Sequence, residues 1–132
     1  MQMIRAAVCH EFGSPLVIED IALRAPEAGE VEVDVHAVAI CHSDISYADG
    51  AWGGSLPAVY GHEAAGVVSA VGAGVSDFAP GDRVVVTLIR ACGTCPSCSG
   101  GKPTICQTPV DGDKGPIKTA DGGVLNLSLI HI

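Results

Sequence analysis

The chain carries four closely spaced cysteines, Cys92, Cys95, Cys98 and Cys106, with the spacing Cys-x2-Cys-x2-Cys-x7-Cys. Thiolates at this spacing on a glycine-rich loop are able to point at one ion, and Zn(II) takes four sulfurs tetrahedrally at roughly 2.3 Å. A site with four protein ligands leaves no position for water or substrate, so it stabilises folding and performs no chemistry. The pattern predicts a structural zinc site that holds a protruding lobe together.

An iron–sulfur cluster and a disulfide framework are the alternatives for these cysteines. Bacterial ferredoxins also begin with Cys-x2-Cys-x2-Cys, but they continue with x3-Cys-Pro. That continuation needs a sulfur at residue 102, where this chain has Lys102. Disulfides are disfavoured in a reducing compartment. The spacing therefore favours zinc.

A second group of potential metal ligands lies upstream, in the segments Cys41-His42-Ser43-Asp44 and Gly61-His62-Glu63. A cysteine and a histidine 21 residues apart match many proteins by chance. Taken alone, Cys41 is more simply explained as a buried apolar side chain, and His62 as a core histidine whose ring nitrogens are both satisfied. Only the neighbouring residues favour a metal site over these alternatives.

Those neighbours supply what an open metal site needs. Asp44 is able to accept the second ring proton of a metal-bound His62, which is the usual outer partner of a zinc histidine. Ser43 offers a hydroxyl that can carry a proton away from a coordinated alcohol. Glu63 is able to ligate transiently or to tune the field at the metal, although a solvated surface carboxylate is its alternative. One closed site and one open site together predict a metalloenzyme.

Composition and charge exclude several classes of function. A length of 132 residues suits one domain with a core and is too short for two ordinary domains. Fifteen acidic against seven basic residues give a formal charge of −8, which repels nucleic acid and anionic membrane surfaces. The amino terminus lacks the apolar core of a signal peptide, and no apolar run is long enough to span a membrane. We expect a cytoplasmic protein that binds neither nucleic acid nor membranes.

The elements that must position these side chains are mainly short strands. Seventeen glycines and eight prolines, together with many valines, are typical of turn-rich β structure. Residues 31–39 alternate apolar and polar side chains, as a half-buried strand does. Further strands are predicted at 3–9, 15–19, 64–71 and 83–89, and one or two helical turns at 43–48. The pattern favours a barrel or a sandwich, with Cys41 at a strand-to-helix corner.

Four motifs in register resemble the zinc-dependent alcohol dehydrogenases of the medium-chain dehydrogenase/reductase superfamily. They are Cys41-His42-Ser43-Asp44, Gly61-His62-Glu63-Ala64-Ala65-Gly66, Pro80-Gly81-Asp82-Arg83-Val84 and the four-cysteine loop. The resemblance implies a mainly β, GroES-like β-barrel catalytic domain with short helices and a zinc lobe. We expect its amino-terminal part at residues 1–123 and a truncated, non-native tail at 124–132, where the sequence stops resembling the family.

The resemblance also implies roles for single residues. Cys41 and His62 become two of three protein ligands of a catalytic zinc, whose third ligand lies outside these residues. Ser43 begins a proton relay, which some relatives extend with a histidine where this chain has Ser46. His42 approaches the pyrophosphate of the cofactor. Asp44 supports His62, and Glu63 is the acidic neighbour that exchanges onto the metal.

The cofactor implied by the resemblance is NAD or NADP, held in a separate Rossmann domain. These residues contain no Gly-x-Gly-x-x-Gly, because Asp77 stands where the third glycine is needed after Gly72-Ala73-Gly74. The implied parent is a homo-oligomer that transfers hydride between an alcohol or aldehyde and NAD(P), and the 132 residues alone are expected to be inactive. The alternative is a stand-alone zinc-binding scaffold or interaction module. Trp52 has two interpretations, because it either lines a substrate pocket or only packs against neighbouring side chains.

Overall fold

The computed structural model describes residues 2–88, 91–108, 117–119 and 126–127. Its strands are β1 (Gln2–Cys9), β2 (Val17–Leu23), β3 (Val31–Val38), β4 (Ala58–Val59), β5 (Ala64–Val71), β6 (Arg83–Val86), β7 (Ile117–Thr119) and β8 (Asn126–Leu127). Its helices are α1 (His42–Ala48), α2 (Pro96–Ser99) and a 3-10 turn at Pro103–Ile105. The mainly β prediction is confirmed for the described residues.

All five predicted strands are present, as is the predicted helix. The strand at 64–71 has the predicted bounds, and those at 3–9 and 31–39 differ by one residue at one end. The strand expected at 15–19 is displaced toward the carboxyl end, and the one expected at 83–89 ends at residue 86, with residue 89 outside the described residues. Elements as short as β4 and α2 were not predicted, because two to four residues carry no periodicity.

The strands form two sheets in the described part of the chain. One has the order β7-β2-β1-β4-β8 and the other the order β3-β5-β6. β1 and β2 pair antiparallel along their whole length, from Gln2 opposite Leu23 to Val8 opposite Val17. The fully buried side chains of Val8 and Ile21 form the centre of this core. Burial of each side chain contributes roughly 1.5–3 kcal/mol.

The antiparallel pairing of β3 with β5 brings the two segments of the open site together. Val38, at the end of β3, lies opposite Ala64, at the start of β5. The backbone amide of Ala39 donates to the carbonyl of Glu63 at 3.0 Å. The chain leaving β3 therefore runs beside the chain entering β5, which places Cys41 and His62 at the same end of this sheet.

Gly66 allows β3 and β5 to approach closely opposite an irregularity in the register of β3. A Cβ at this position would lie 2.2 Å from the carbonyl oxygen of Asp34. Both atoms belong to the backbone of paired strands, so the clash is relieved only by separating the strands. We expect Gly66→Ala to lower the free energy of unfolding by roughly 2–3 kcal/mol, in the range for overpacking. Urea denaturation measures this loss; Ser69→Thr, at an exposed position on β5, is the control. Equal stability of the two variants would contradict the close approach.

The alternation at 31–39 predicts one buried face, and the structure shows this prediction to be wrong for the second half of β3. Val35 and Val38 are 52% and 63% exposed. The side chains of Val31 and Val33 are partly buried, whereas those from Asp34 to Val38 are exposed. Periodicity reports which side chains share a face, and it does not report what covers them.

In the described residues, no helix combines the length and the apolar character needed to span a membrane. The proposed domain boundary at residue 123 lies outside the described residues and stays a prediction. Within the predicted tail, 124–132, the structure describes only strand β8.

Candidate metal centres

The four lobe cysteines converge on one point. Their sulfur atoms all lie within 4.8 Å of one another, and the Sγ atoms of Cys92 and Cys98 are 4.0 Å apart. Four sulfurs at roughly 2.3 Å from one tetrahedral ion are separated by about 3.8 Å. The sulfurs are therefore spaced to hold one tetrahedral metal ion.

Short turns place these sulfurs by hydrogen bonding to them from the backbone. The amide of Cys95 donates to Cys92 Sγ at 3.3 Å, and the amide of Cys98 donates to Cys95 Sγ at 3.5 Å. α2 begins after Cys95, with Pro96 in its first turn. The amide of Cys92 donates to Cys106 Sγ at 3.4 Å and so joins the two ends of the lobe. Such amides stabilise thiolates, as a metal site requires.

The electrostatics of the lobe distinguish its thiols. Hydrogen bonds, first from the side chain of Thr108 and then from the amides of Cys95 and Thr94, lower the pKa of Cys92 to about 5. Burial, with the neighbouring cysteines, raises the pKa of Cys98 to about 11. Four thiols this close do not all ionise unless a cation offsets their repulsion. The role of Thr108 could not be predicted, because nothing in a sequence marks a threonine as a hydrogen-bond donor to sulfur.

These pKa values set the pH dependence of metal binding. Near pH 7, Cys92 is largely ionised, whereas Cys98 retains the proton that metal binding must displace. Affinity therefore rises with pH, because fewer protons remain to be displaced. We expect the zinc affinity of the lobe to increase at least about tenfold per pH unit between pH 6 and 8. Competition with a chromophoric chelator measures this slope. An affinity independent of pH would show that the thiols are not the ligands.

The second cluster consists of Cys41, His62 and Glu63. The ligand atoms of these three residues also lie within 4.8 Å of one another. His62 is 2% exposed, Cys41 is half-buried, and Glu63 lies at the surface. One thiol, one imidazole and one carboxylate meeting at the rim of the fold leave room for an exogenous ligand, which the closed lobe does not.

Asp44 connects both segments of this cluster. Its Oδ2 accepts a hydrogen bond from the amide of Cys41 at 3.0 Å, which fixes the start of α1. Its Oδ1 lies 3.2 Å from Nδ1 of His62. This distance is short enough for a hydrogen bond, but the two groups are not aligned to form one. Among the described residues, neither atom has another hydrogen-bond partner. A small ring rotation completes the carboxylate–histidine contact typical of metal-binding histidines.

The opposite nitrogen of His62 faces the remaining polar groups. Its Nε2 lies 3.5 Å from Ser43 Oγ and 3.5 Å from Glu63 Oε1. With Nδ1 directed at a carboxylate, Nε2 is the nitrogen available to a metal ion, which Cys41 and Glu63 would share. The donor set and the orphaned buried atoms therefore fit a divalent cation such as zinc.

The two ligand groups of this cluster perturb each other. Hydrogen bonds from Ser43, followed by one from His62, lower the pKa of the Cys41 thiol. Burial alone lowers the pKa of His62, but the Cys41 thiol and the Asp44 carboxylate outweigh burial and raise it. The alternative of a core histidine with both nitrogens satisfied does not match this environment.

The remaining predicted residues lie apart from the two clusters. His42 is the first residue of α1 and is exposed. Cys9 is buried in the core, and all six cysteines are free thiols. Trp52 is 60% exposed and packs against Tyr47, a contact that the sequence does not predict.

Comparison with known proteins agrees with this arrangement. The alcohol dehydrogenase GroES-like domain family matches residues 27–128. An alcohol dehydrogenase of Moraxella sp. (strain TAE123) is 44% identical over 108 residues, which cover 80% of this chain and 32% of that relative. Alcohol dehydrogenase class-3 of Drosophila melanogaster is 44% identical over 104 residues, covering 78% of this chain and 27% of the relative.

A solved structure shows the same fold. The alcohol dehydrogenase zinc-binding domain protein from Burkholderia ambifaria superposes with a TM-score of 0.87 at 40% identity, covering 96% of this chain and 36% of that protein. The chain thus spans about a third of the length of the proteins it matches. The family match covers most of the sequence and both groups of ligands. This chain belongs to the alcohol dehydrogenase GroES-like domain family.

Proposed function

We propose that this chain is the part of a zinc-dependent alcohol dehydrogenase that carries a structural zinc and ligands of the catalytic zinc. The whole protein would transfer hydride between an alcohol or aldehyde and NAD(P). The convergence of Cys41, His62 and Glu63 beside the Ser43 hydroxyl carries this proposal. A scaffold needs a closed site such as the lobe, but it has no use for an open cluster next to a hydroxyl that can transfer a proton.

The residues divide the work between two ions. Cys92, Cys95, Cys98 and Cys106 would hold a structural zinc, and Cys41 and His62 a catalytic one, with Glu63 as an exchangeable ligand. Zinc at the second site would act as a Lewis acid that lowers the pKa of a coordinated hydroxyl. The nicotinamide, which a Rossmann domain would bind, would supply the hydride chemistry.

The residues of this chain prepare that chemistry. Ser43 Oγ, 3.5 Å from His62 Nε2, is placed to accept the proton of a substrate hydroxyl and pass it outward. Asp44 Oδ1, 3.2 Å from His62 Nδ1, would hold His62 in the tautomer that directs Nε2 at the metal position. His42, exposed at the start of the same helix, is our candidate for the cofactor phosphates. Because these residues contain no dinucleotide-binding motif, we expect no NAD-dependent turnover by the chain alone.

Cobalt substitution tests the open site directly. Co(II) reports its ligands through visible absorption, and the two sites differ in thiolate number. We expect trifluoroethanol to change the absorption of the second ion and to leave that of the lobe unchanged. Ser43→Ala should retain both ions and shift the pH at which the alcohol is deprotonated. A second site that does not respond to alcohol at any pH would favour the alternative of a zinc-binding scaffold.

A further inference from the structure

The rings of Tyr47 and Tyr60 connect the two segments that supply the second cluster. Their centroids lie 5.9 Å apart with the ring planes at 17°, which is a favoured stacking geometry for aromatic pairs. Tyr47 belongs to α1, the helix that begins directly after Cys41 and contains Asp44. Tyr60 precedes His62 by two residues. The stacked pair therefore joins the helix beside Cys41 to the chain that carries His62.

Tyr60 is also fixed to the core through the strand that precedes it. β4 pairs antiparallel with the end of β1, so that Val59 lies opposite Val8 and Ala58 lies opposite Cys9. The side chains of Val8 and Cys9 are fully buried. Burial, followed by the interaction with the Cys9 thiol, raises the pKa of Tyr60 to about 12. The ring is thus held by the core on one side and by α1 on the other.

The backbone next to His62 gives this ligand little support of its own. Gly61, the residue between Tyr60 and His62, has a φ of 138°. Glycine has more backbone freedom than any other residue, so a glycine beside a ligand lets the ligand move unless both sides are anchored. On the carboxyl side, the amide of Ala39 donates to the carbonyl of Glu63 at 3.0 Å. On the amino side, the Tyr60 ring provides the anchor.

The polar contacts across the second cluster do not replace this anchor. Ser43 Oγ lies 3.5 Å from His62 Nε2, which is longer than a usual hydrogen bond. Asp44 Oδ1 lies 3.2 Å from His62 Nδ1 without the alignment that a hydrogen bond requires. Before an ion binds, the position of His62 relative to α1 therefore depends more on ring stacking than on hydrogen bonds.

We propose that Tyr60 is a positioning residue that holds His62 against α1 and so arranges the second cluster before an ion binds. Tyr60 acts through His62, and Tyr47 is its partner on α1. Preorganised ligands lose less conformational freedom on binding, so the stacked rings raise the affinity for the ion. This inference rests on the proposed function for the identity of the ion, whereas the arrangement of the ligands is a property of the ion-free chain.

Tyr60→Leu tests this role, because leucine keeps an apolar side chain and removes the ring. We expect the affinity for the second ion to fall about threefold to tenfold, as for the loss of one aromatic pair, and the affinity of the lobe to stay unchanged. Tyr60→Phe keeps the ring and should retain the original affinity. Phe78→Leu, which removes an exposed ring outside the pair, is the matched control.

Calorimetric titration of zinc into the chain with its lobe already loaded measures these affinities. If Tyr60→Leu binds the second ion as tightly as the original chain does, the positioning role is overturned. The same conclusion follows if Tyr60→Phe loses as much affinity as Tyr60→Leu, because the ring would then not be the active part.

Tyr47→Leu removes the same contact from the side of α1, and it decides the question if Tyr60→Leu does not fold. Because both changes break one contact, the fold-loss of the double variant should be smaller than the product of the two single fold-losses. Losses that multiply in full would show that the two rings act separately, and they would overturn the proposed pair.

Nitrogen–proton spectra of the His62 ring in the ion-free chain separate this inference from the proposed function. In Tyr60→Leu, the His62 signals should shift toward those of a freely rotating histidine, for which the exposed His36 is the reference. In Tyr60→Phe, they should stay in place. Signals that do not move in Tyr60→Leu would overturn the positioning role even if the second ion binds. Signals that respond as expected, in a chain that binds no second ion, would support the positioning role and overturn the proposed function alone.

Discussion

A Cys98→Ser variant will lose the ion of the lobe under conditions in which the original chain keeps it. A structural four-ligand zinc site contributes about 10–16 kcal/mol in small domains, so the loss of one of four thiolates should weaken binding by about 3 kcal/mol or more. Cys98 is the most informative choice, since its sulfur lies 4.0 Å from Cys92 and burial raises its pKa to about 11. Competition with a chelator, read by zinc content per chain, measures the effect.

The control for this experiment is Cys9→Ala. Cys9 is a buried core thiol outside both clusters, so its replacement should cost some stability but no zinc. Zinc content that falls equally in both variants would indicate general unfolding. A Cys98→Ser variant with unchanged zinc affinity would contradict the four-thiolate site.

The second large effect is expected at His62. His62→Ala removes the only imidazole of the second cluster, so the affinity for the second ion should fall by more than about 100-fold, because the loss of an outer partner alone costs 10- to 100-fold. In Asp44→Asn, the affinity for the second ion should fall by the smaller factor, since this variant keeps the ligands but orients His62 less firmly. Calorimetric titration of zinc into the chain with its lobe already loaded measures both affinities.

His36→Ala is the matched control for this series, because His36 is an exposed histidine on β3 outside the cluster. It should leave both ions bound. Equal losses in Asp44→Asn and His62→Ala would indicate that the aspartate is itself a ligand. If the second ion still binds to the His62→Ala variant, the imidazole of His62 is not one of its ligands.

The lobe could be predicted from the sequence because its four ligands lie close together along the chain. Four cysteines within 15 residues can reach one ion in few ways, and the turns that contain Gly93, Pro96 and Gly101 allow them to do so. The convergence of Cys41 with His62 is a long-range feature, and only the resemblance to a family made it predictable. The structure gives its physical cause, which is the pairing of Val38 with Ala64 at the end of one sheet.

Other features depend on packing that a sequence does not show. The exposure of Val35 and Val38 depends on what lies over the β3–β5–β6 sheet, and only the irregularity between Val35 and Ala37 brings these two side chains to one face. The stacking of Tyr47 with Tyr60 joins residues 13 positions apart, from α1 and from the segment before His62. No periodicity relates such positions, so this stacking could not be predicted from the sequence.

The central claim is that Cys41 and His62 bind one metal ion between them while the lobe holds another. Crystals of the zinc-loaded chain, measured on both sides of the zinc absorption edge, test this claim most directly. The account predicts two anomalous peaks, one of them roughly 2.0–2.3 Å from both Cys41 Sγ and His62 Nε2. A single peak in the lobe, with excess zinc in the crystal and none between Cys41 and His62, would contradict it.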